Sequence, residues 1–315
     1  MLEQSPSPNA TGVRSDEDSE FADPASEAGM DAEAIEALDA EHVYQGRKLG
    51  ILFWCCVGWL VVLGLAAIFA DLLPLKDPSA AFAGTSRNGP SAEYWFGNSN
   101  IGADIFSQVI YGARRSLGVS FSATAAGLLV GGAIGLTAGF YRGSLESFIT
   151  SALDVLLSFP ALVLALALVI FLGQGAPTVA LALAILAVPS IARVTRAATL
   201  VHSQREFVLA SRTLGARNGR IMVREVLPNV LPAMFSFALI NVAVLIVVEG
   251  ALAFLGIGDA TEPAWGVMIN NGRASLDEAP HIVLFPALFM FLTILSLNLI
   301  GDKLQEILDV REAKL

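Results

Sequence analysis

Seven arginines fall within residues 193–224: Arg193, Arg196, Arg205, Arg212, Arg217, Arg220 and Arg224. Only 15% of the chain is charged, so this concentration marks the segment that stays on the cytoplasmic side of a membrane. Two acids, Asp154 and Glu249, stand instead in or beside long apolar runs. An ionisable group at membrane depth is costly, and it faces protein or water. Asp154 and Glu249, with Phe159, Pro160 and Asn241, are therefore candidates for lining or gating a pathway. For the two acids the alternative is a hydrogen-bonded structural site near the interface, and for Asn241 and Asn298 it is a bridge between helices. Covalent chemistry finds no equipment. There is no Gly-x-Ser-Gly nucleophile with a helix-borne His, and no Gly-x-x-x-x-Gly-Lys-Ser/Thr phosphate loop. The two cysteines, Cys55 and Cys56, are adjacent and have no His at metal-ligand spacing, which makes them packing residues. The catalytic and metal-ligating sets are empty.

The elements that must position these residues are membrane helices. Of 315 residues 55% are hydrophobic, and the mean hydropathy is +0.64. Runs of about 20 apolar residues match a hydrocarbon core about 30 Å thick. Spans are expected over 51–70, 116–140, 147–172, 178–200, 231–255 and 281–300, an all-α integral membrane protein of about six helices. Pro160 breaks the third span and Pro189 lies in the fourth; both remove a backbone donor and bend a helix. His202 and His281 read as structural, and Trp265 as an interfacial anchor.

The net charge of −10 is unevenly placed: residues 1–42 contribute −11 and the remainder +1. Residues 1–46 are expected to be a mostly disordered acidic tail, with a short acidic helix possible over 30–41. The tail lacks the basic start and apolar stretch of a signal peptide. The membrane domain then covers 47–315. The arginine-rich segment belongs inside the cell by the positive-inside rule. Both termini follow it there, in keeping with Arg47, Lys48, Arg142, Lys303, Arg311 and Lys314. Residues 71–112 and 256–280 fall outside; their acids are Asp71, Asp77, Glu93, Asp104, Asp259, Glu262, Asp277 and Glu278. Arg114 and Arg115, at the outer end of the second span, are assigned to an interfacial helix preceding it. Gly127, Gly131, Gly135 and Gly139 recur every four residues, a ridge that lets a second helix backbone approach closely.

Residues 205–229 (REFVLASRTLGARNGRIMVREVLPN) are too polar to span and too patterned for a plain loop. A helix over 205–214 places Phe207, Ala210 and Leu214 on one face. Gly215 interrupts it with a left-handed turn. A second helix runs from Asn218 towards Leu227, where Pro228 stops it. Glu206, Ala210, Ser211, Gly215, Leu227 and Pro228 together resemble the EAA loop of bacterial ABC importer permeases. Further stretches at 110–121, 153–168, 248–258, 263–273 and 298–311 extend the likeness to the dipeptide, oligopeptide and nickel permease family. Phe96-Gly97-Asn98-Ser99 and Gly102-Ala103-Asp104 depart from that family's pattern, as does Ser211 in place of a second Ala. The resemblance implies a non-catalytic permease in a bacterial cell membrane, forming half of a pathway with a homologous second permease. Glu206, Ala210, Ser211, Arg212, Thr213, Leu214, Gly215, Ala216, Leu227 and Pro228 would couple it to a cytoplasmic ATPase subunit that binds ATP and Mg. An extracytoplasmic binding protein would deliver cargo: peptides first, a nickel chelate or other small solute as alternatives. The rivals are an ion-coupled secondary transporter, which calls for repeated halves, and an intramembrane protease, which lacks its motif.

Overall fold

A backbone in lipid must satisfy its polar groups within its own segment, and long apolar runs accordingly fold as helices. The structure, a computed structural model, describes residues 50–80, 85–257 and 262–312, with side chains to 307. The helices are α1 (Ile51–Ile68), α2 (Ile105–Tyr141), α3 (Ser144–Leu157), α4 (Ala161–Leu172) and α5 (Ala176–His202). They continue with α6 (Glu206–Thr213), α7 (Asn218–Ile221), α8 (Leu227–Phe254), α9 (Trp265–Gly272) and α10 (His281–Glu312). Among the described residues five helical stretches are long and apolar enough to cross a membrane, or six if the bent pair α3–α4 counts as one. The acidic tail over 1–46, the helix over 30–41, Arg47, Lys48, Asp259, Lys314 and the Arg311 side chain lie outside the described residues.

Several expectations are corrected. The helix of the second span begins at Ile105, eleven residues ahead of the expected boundary, and runs unbroken for 37 residues. At 1.5 Å per residue that is about 55 Å, well beyond the hydrocarbon thickness. Arg114 and Arg115 are part of this helix, with no separate interfacial one. Their charges are met by ion pairs, Arg114 to Asp71 at 2.8 Å and Arg115 to Glu262 at 3.6 Å. Hydrogen bonds from Arg114 and Tyr111 hold the Asp71 carboxyl below its ordinary range, which keeps it ionised for that pair. Asp104 starts the helix, its Oδ2 accepting from the Ser107 N–H at 3.1 Å.

Pro228 does not stop the second loop helix. The chain stays helical from Asn218 to Phe254. Residues Met222–Val226 form a π turn immediately before the proline. A proline ring collides with the carbonyl four residues earlier in a normal helix, and the wider turn makes room for it. Trp265 is wholly buried and its Nε1 donates to the Val109 carbonyl at 3.0 Å, so it is a core residue rather than an interfacial anchor. Its apolar body fills the junction of α2, α8, α9 and α10, and its one donor is satisfied there. Asn298 donates to Ile294 O on its own helix at 2.9 Å and bridges nothing among the described residues. Pro189 lies within an uninterrupted α5. The last helix continues past residue 300 to Glu312.

Among the described residues three apolar clusters hold the bundle. One joins α1, α2, α8, α9 and α10; a second joins α2, α4, α5 and α8. The third packs Val208 of α6 and Ile221 of α7 against Leu136, Phe140, Val226, Val230 and Met234. It fastens the polar 205–229 segment to the membrane helices.

Candidate functional site

The segment from Glu206 to Pro228 forms a helix–turn–helix at the end of the bundle where α2 and α5 finish. The turn is set by backbone chemistry. Gly215 has φ +78°, a conformation that costs an L-residue about 1–2 kcal/mol. The Gly215 N–H donates to Arg212 O at 3.0 Å and the Ala216 N–H to Ser211 O at 3.1 Å, closing a Schellman motif. Val208, fully buried, anchors the inner side of α6. The outer side is open: Leu214 is 87% exposed, and Phe207 and Ala210 stand on the same exposed side. Glu206, Arg212, Thr213 and Pro228 are exposed too, with Ser211, Ala216 and Leu227 half-buried. Nothing lies within 4 Å of where a Cβ on Gly215 would project. Eight of the ten motif residues, Glu206 and 210–216, thus sit on one element with an exposed apolar surface, while Leu227 and Pro228 open α8. Beside it Phe140, Tyr141, Arg142, Gln204, Arg212 and Asn218 line a cavity of about 610 Å³.

The glycine ridge faces α5. A Cβ on Gly127 would stand 2.7 Å from the Ala187 Cβ, and one on Gly131 2.5 Å from the Val188 carbonyl oxygen. On Gly139 it would meet the Thr199 Cβ at 2.7 Å, and on Gly135 it would run into the Ala192 carbonyl. Real Cβ contacts are not that short, so all four positions require the missing side chain. Backbone contact along α5 follows, and α2 and α5 pack closely along this face.

A polar seam runs on another face of α2, against the antiparallel α8. Thr124 Oγ1 donates to Asn241 Oδ1 at 3.4 Å, and Asn241 Nδ2 donates to Ser190 Oγ at 3.3 Å. Asn241 therefore ties α2, α5 and α8 together. Eight residues along each helix, Ser116 stands beside Glu249, which is 5% exposed. Between these pairs Ser120 is wholly buried with no hydrogen-bond partner for its hydroxyl, and Glu249 Oε2 has none either. The four-residue spacing of Ser116, Ser120 and Thr124 is the signal of this face in the sequence. We expect Asn241→Leu to destabilise the purified protein by about 1–2 kcal/mol, as loss of a buried interhelical bond does. Thr124→Val in that background should add almost nothing to the loss, which thermal unfolding of both single variants and the double variant will show.

The remaining pathway candidates lie apart from this seam. Asp154 is exposed in α3 and accepts from Arg193 Nη2 at 2.7 Å. Phe159 is 51% exposed and Pro160 caps α4, both at the 84° bend between α3 and α4.

The described residues form a multi-pass helical bundle of apolar, membrane-length helices with an anchored helix–turn–helix at one end. The family model for the binding-protein-dependent transport system inner membrane component matches residues 127–314. The dipeptide transport system permease protein DppC of Alkalihalophilus pseudofirmus is 38% identical over 256 residues, covering 80% of this chain and 84% of the relative. The glutathione transport system permease protein GsiD of Escherichia coli O6:K15:H31 is 39% identical over 253 residues, covering 80% and 84%. Among solved structures, the inward-facing MetNI methionine ABC transporter aligns with a TM-score of 0.55 at 18% identity, over 66% of this chain and 97% of that one, a likeness of fold. The chain belongs to the binding-protein-dependent inner membrane component family and is an ABC importer permease subunit of the DppC and OppC kind.

Proposed function

We propose that this subunit carries di- or oligopeptides across a bacterial inner membrane, forming half of a pathway with a homologous permease. The observation that carries the coupling half of this reading is the exposed Phe207, Ala210 and Leu214 face on an element pinned from behind by Val208 and Ile221. Apolar surface held rigidly in the open suits docking into a groove on another protein. The partner is an ATPase subunit carrying ATP and Mg, because this chain has no phosphate loop and its own role is non-catalytic. Its closure on ATP displaces the loop, and the spans rock between inward- and outward-open states. The loop end, with Arg205, Arg212, Arg217, Arg220 and Arg224, is the cytoplasmic end, and both termini lie on that side. A cargo-loaded binding protein then engages the opposite end, where Asn100, Gln108, Glu262 and Asn271 line a cavity of about 420 Å³.

Peptide cargo is supported by the dipeptide and glutathione transport named for relatives of similar length. The test is uptake into proteoliposomes that hold this chain with its second permease, ATPase subunits and binding protein. We expect ATP-dependent accumulation of labelled dipeptide that stops when the ATPase is omitted. Uptake by this chain alone without ATP would replace the reading with an ion-coupled transporter. Accumulation of a nickel chelate but no peptide would replace the cargo only.

A further inference from the structure

We propose that Glu146 and Arg196 are positioning residues of the transport cycle, whose ion pair passes displacement of the 206–228 loop through α5 to the bent segment α3–α4. The inference rests on the coupling reading given above and assigns the route by which that coupling reaches the membrane helices.

The route begins at the loop. Only Ser203, Gln204 and Arg205 separate α5 from α6, and that connection is hydrogen-bonded throughout. Ser203 N–H donates to Thr199 O at 2.9 Å, Arg205 N–H to His202 O at 3.2 Å, and Val208 N–H to Arg205 O at 3.0 Å. A displacement of α6 is therefore carried into the last turns of α5 with little slack. Arg196 lies in those turns. Its Nε and Nη2 both donate to Glu146 Oε1, at 2.9 and 2.6 Å. The two side chains are 29% and 18% exposed, shielded enough for the attraction to exceed that of an open surface pair. Glu146 lies in the first turn of α3, where the helix dipole also favours a negative charge.

What makes this pair decisive for α3 is the poverty of its other anchors. Leu153 is the one buried residue of the helix, while Phe148 is 73% exposed and Val155 61%. Apolar packing within the chain thus leaves the helix weakly placed, and the charges set its register on α5. Asp154 and Arg193 add a second, more open rung at 2.7 Å. Beyond it the chain bends at Ser158–Pro160, where Pro160 offers no N–H to continue the helix. α4 is held separately, with Ala165 and Val169 fully buried against α5 and α8. A shift delivered to α3 is consequently taken up at 158–160, and it moves Phe159, which stands in the bend.

The experiment uses the complete reconstituted complex and compares Glu146→Gln, Arg196→Met and the exchanged pair Glu146→Arg with Arg196→Glu. ATP turnover is measured with and without cargo-loaded binding protein. We expect both single variants to assemble and keep their unstimulated turnover, while stimulation by loaded binding protein falls about fivefold or more. The exchanged pair should recover most of it, a rescue that a merely space-filling role would not produce. Full stimulation in the single variants overturns the proposal, as does failure of the exchanged pair to restore what they lose, in stimulation or in assembly. If the unsubstituted complex shows no stimulation at all, the coupling reading itself is lost along with this one. Stimulation present and indifferent to both substitutions removes the ion pair alone.

Discussion

Gly215→Val leaves the permease folded and lowers cargo-stimulated ATP turnover of the assembled complex by roughly one to two orders of magnitude, the range of a lost coupling free energy. Two observations separate these effects. Nothing lies within 4 Å of the added Cβ, so no collision within the chain unfolds it. The backbone at φ +78° is the difficulty, because a β-branched side chain is strongly excluded from that region. Valine forces the turn to a new conformation, and the bonds from Gly215 to Arg212 and from Ala216 to Ser211 go with it. The angle between α6 and α7 then changes, and the exposed Phe207 and Leu214 no longer present one surface. Gly215→Asn tests which feature matters, since asparagine tolerates the left-handed region. Its turn should survive, with stimulation reduced only several-fold by the bulk placed on the open side. Normal stimulation in the valine variant would remove Gly215 from the coupling element. The measurement is ATPase rate against loaded binding protein, with assembly checked by size-exclusion chromatography.

Gly135→Val should be the most damaging single substitution in the membrane helices. A Cβ there runs into the Ala192 carbonyl and stands 2.8 Å from the Thr195 Cβ. Both neighbours belong to a helix backbone or its root and cannot swing aside as a long side chain would. The helices must separate, and contact is lost along the whole ridge from Gly127 to Gly139. We expect destabilisation of about 3 kcal/mol or more, at the upper end for overpacking. It will be seen as a lowered unfolding temperature and loss of the monodisperse peak in detergent. Gly118→Ala is the control on the same helix, because its Cβ meets nothing within 4 Å. There the gain in helix propensity makes the change neutral or slightly stabilising, by up to about 1 kcal/mol. Equal behaviour of the two variants would mean that the ridge is not a packing surface.

The glycine ridge and the loop motif were legible because each is a short-range pattern. Four-residue spacing places Gly127 to Gly139 on one helix face wherever that helix ends up. The turn at Gly215 is a demand of backbone sterics, fixed by its neighbours in the chain. The apolar runs had to be helices because lipid offers their peptide groups no other partner. Arg114 and Arg115 misled for the converse reason. A sequence window shows two charges without partners, whereas the folded chain supplies Asp71 and Glu262, the latter 147 residues from Arg115. Trp265 likewise reads as an interfacial residue until Val109, 156 positions earlier, takes its N–H.

By itself the sequence determined that the chain crosses a membrane as helices, where a second helix can approach α2, and where the loop must turn. Each of those outcomes is set by interactions between residues a few positions apart or between the chain and its solvent. Tertiary structure alone decided that α2 continues past its arginines, that the Trp265 ring is buried, and that Arg196 grips Glu146. These depend on which distant groups meet, and a charge or a ring has no settled environment until the other helices are in place around it.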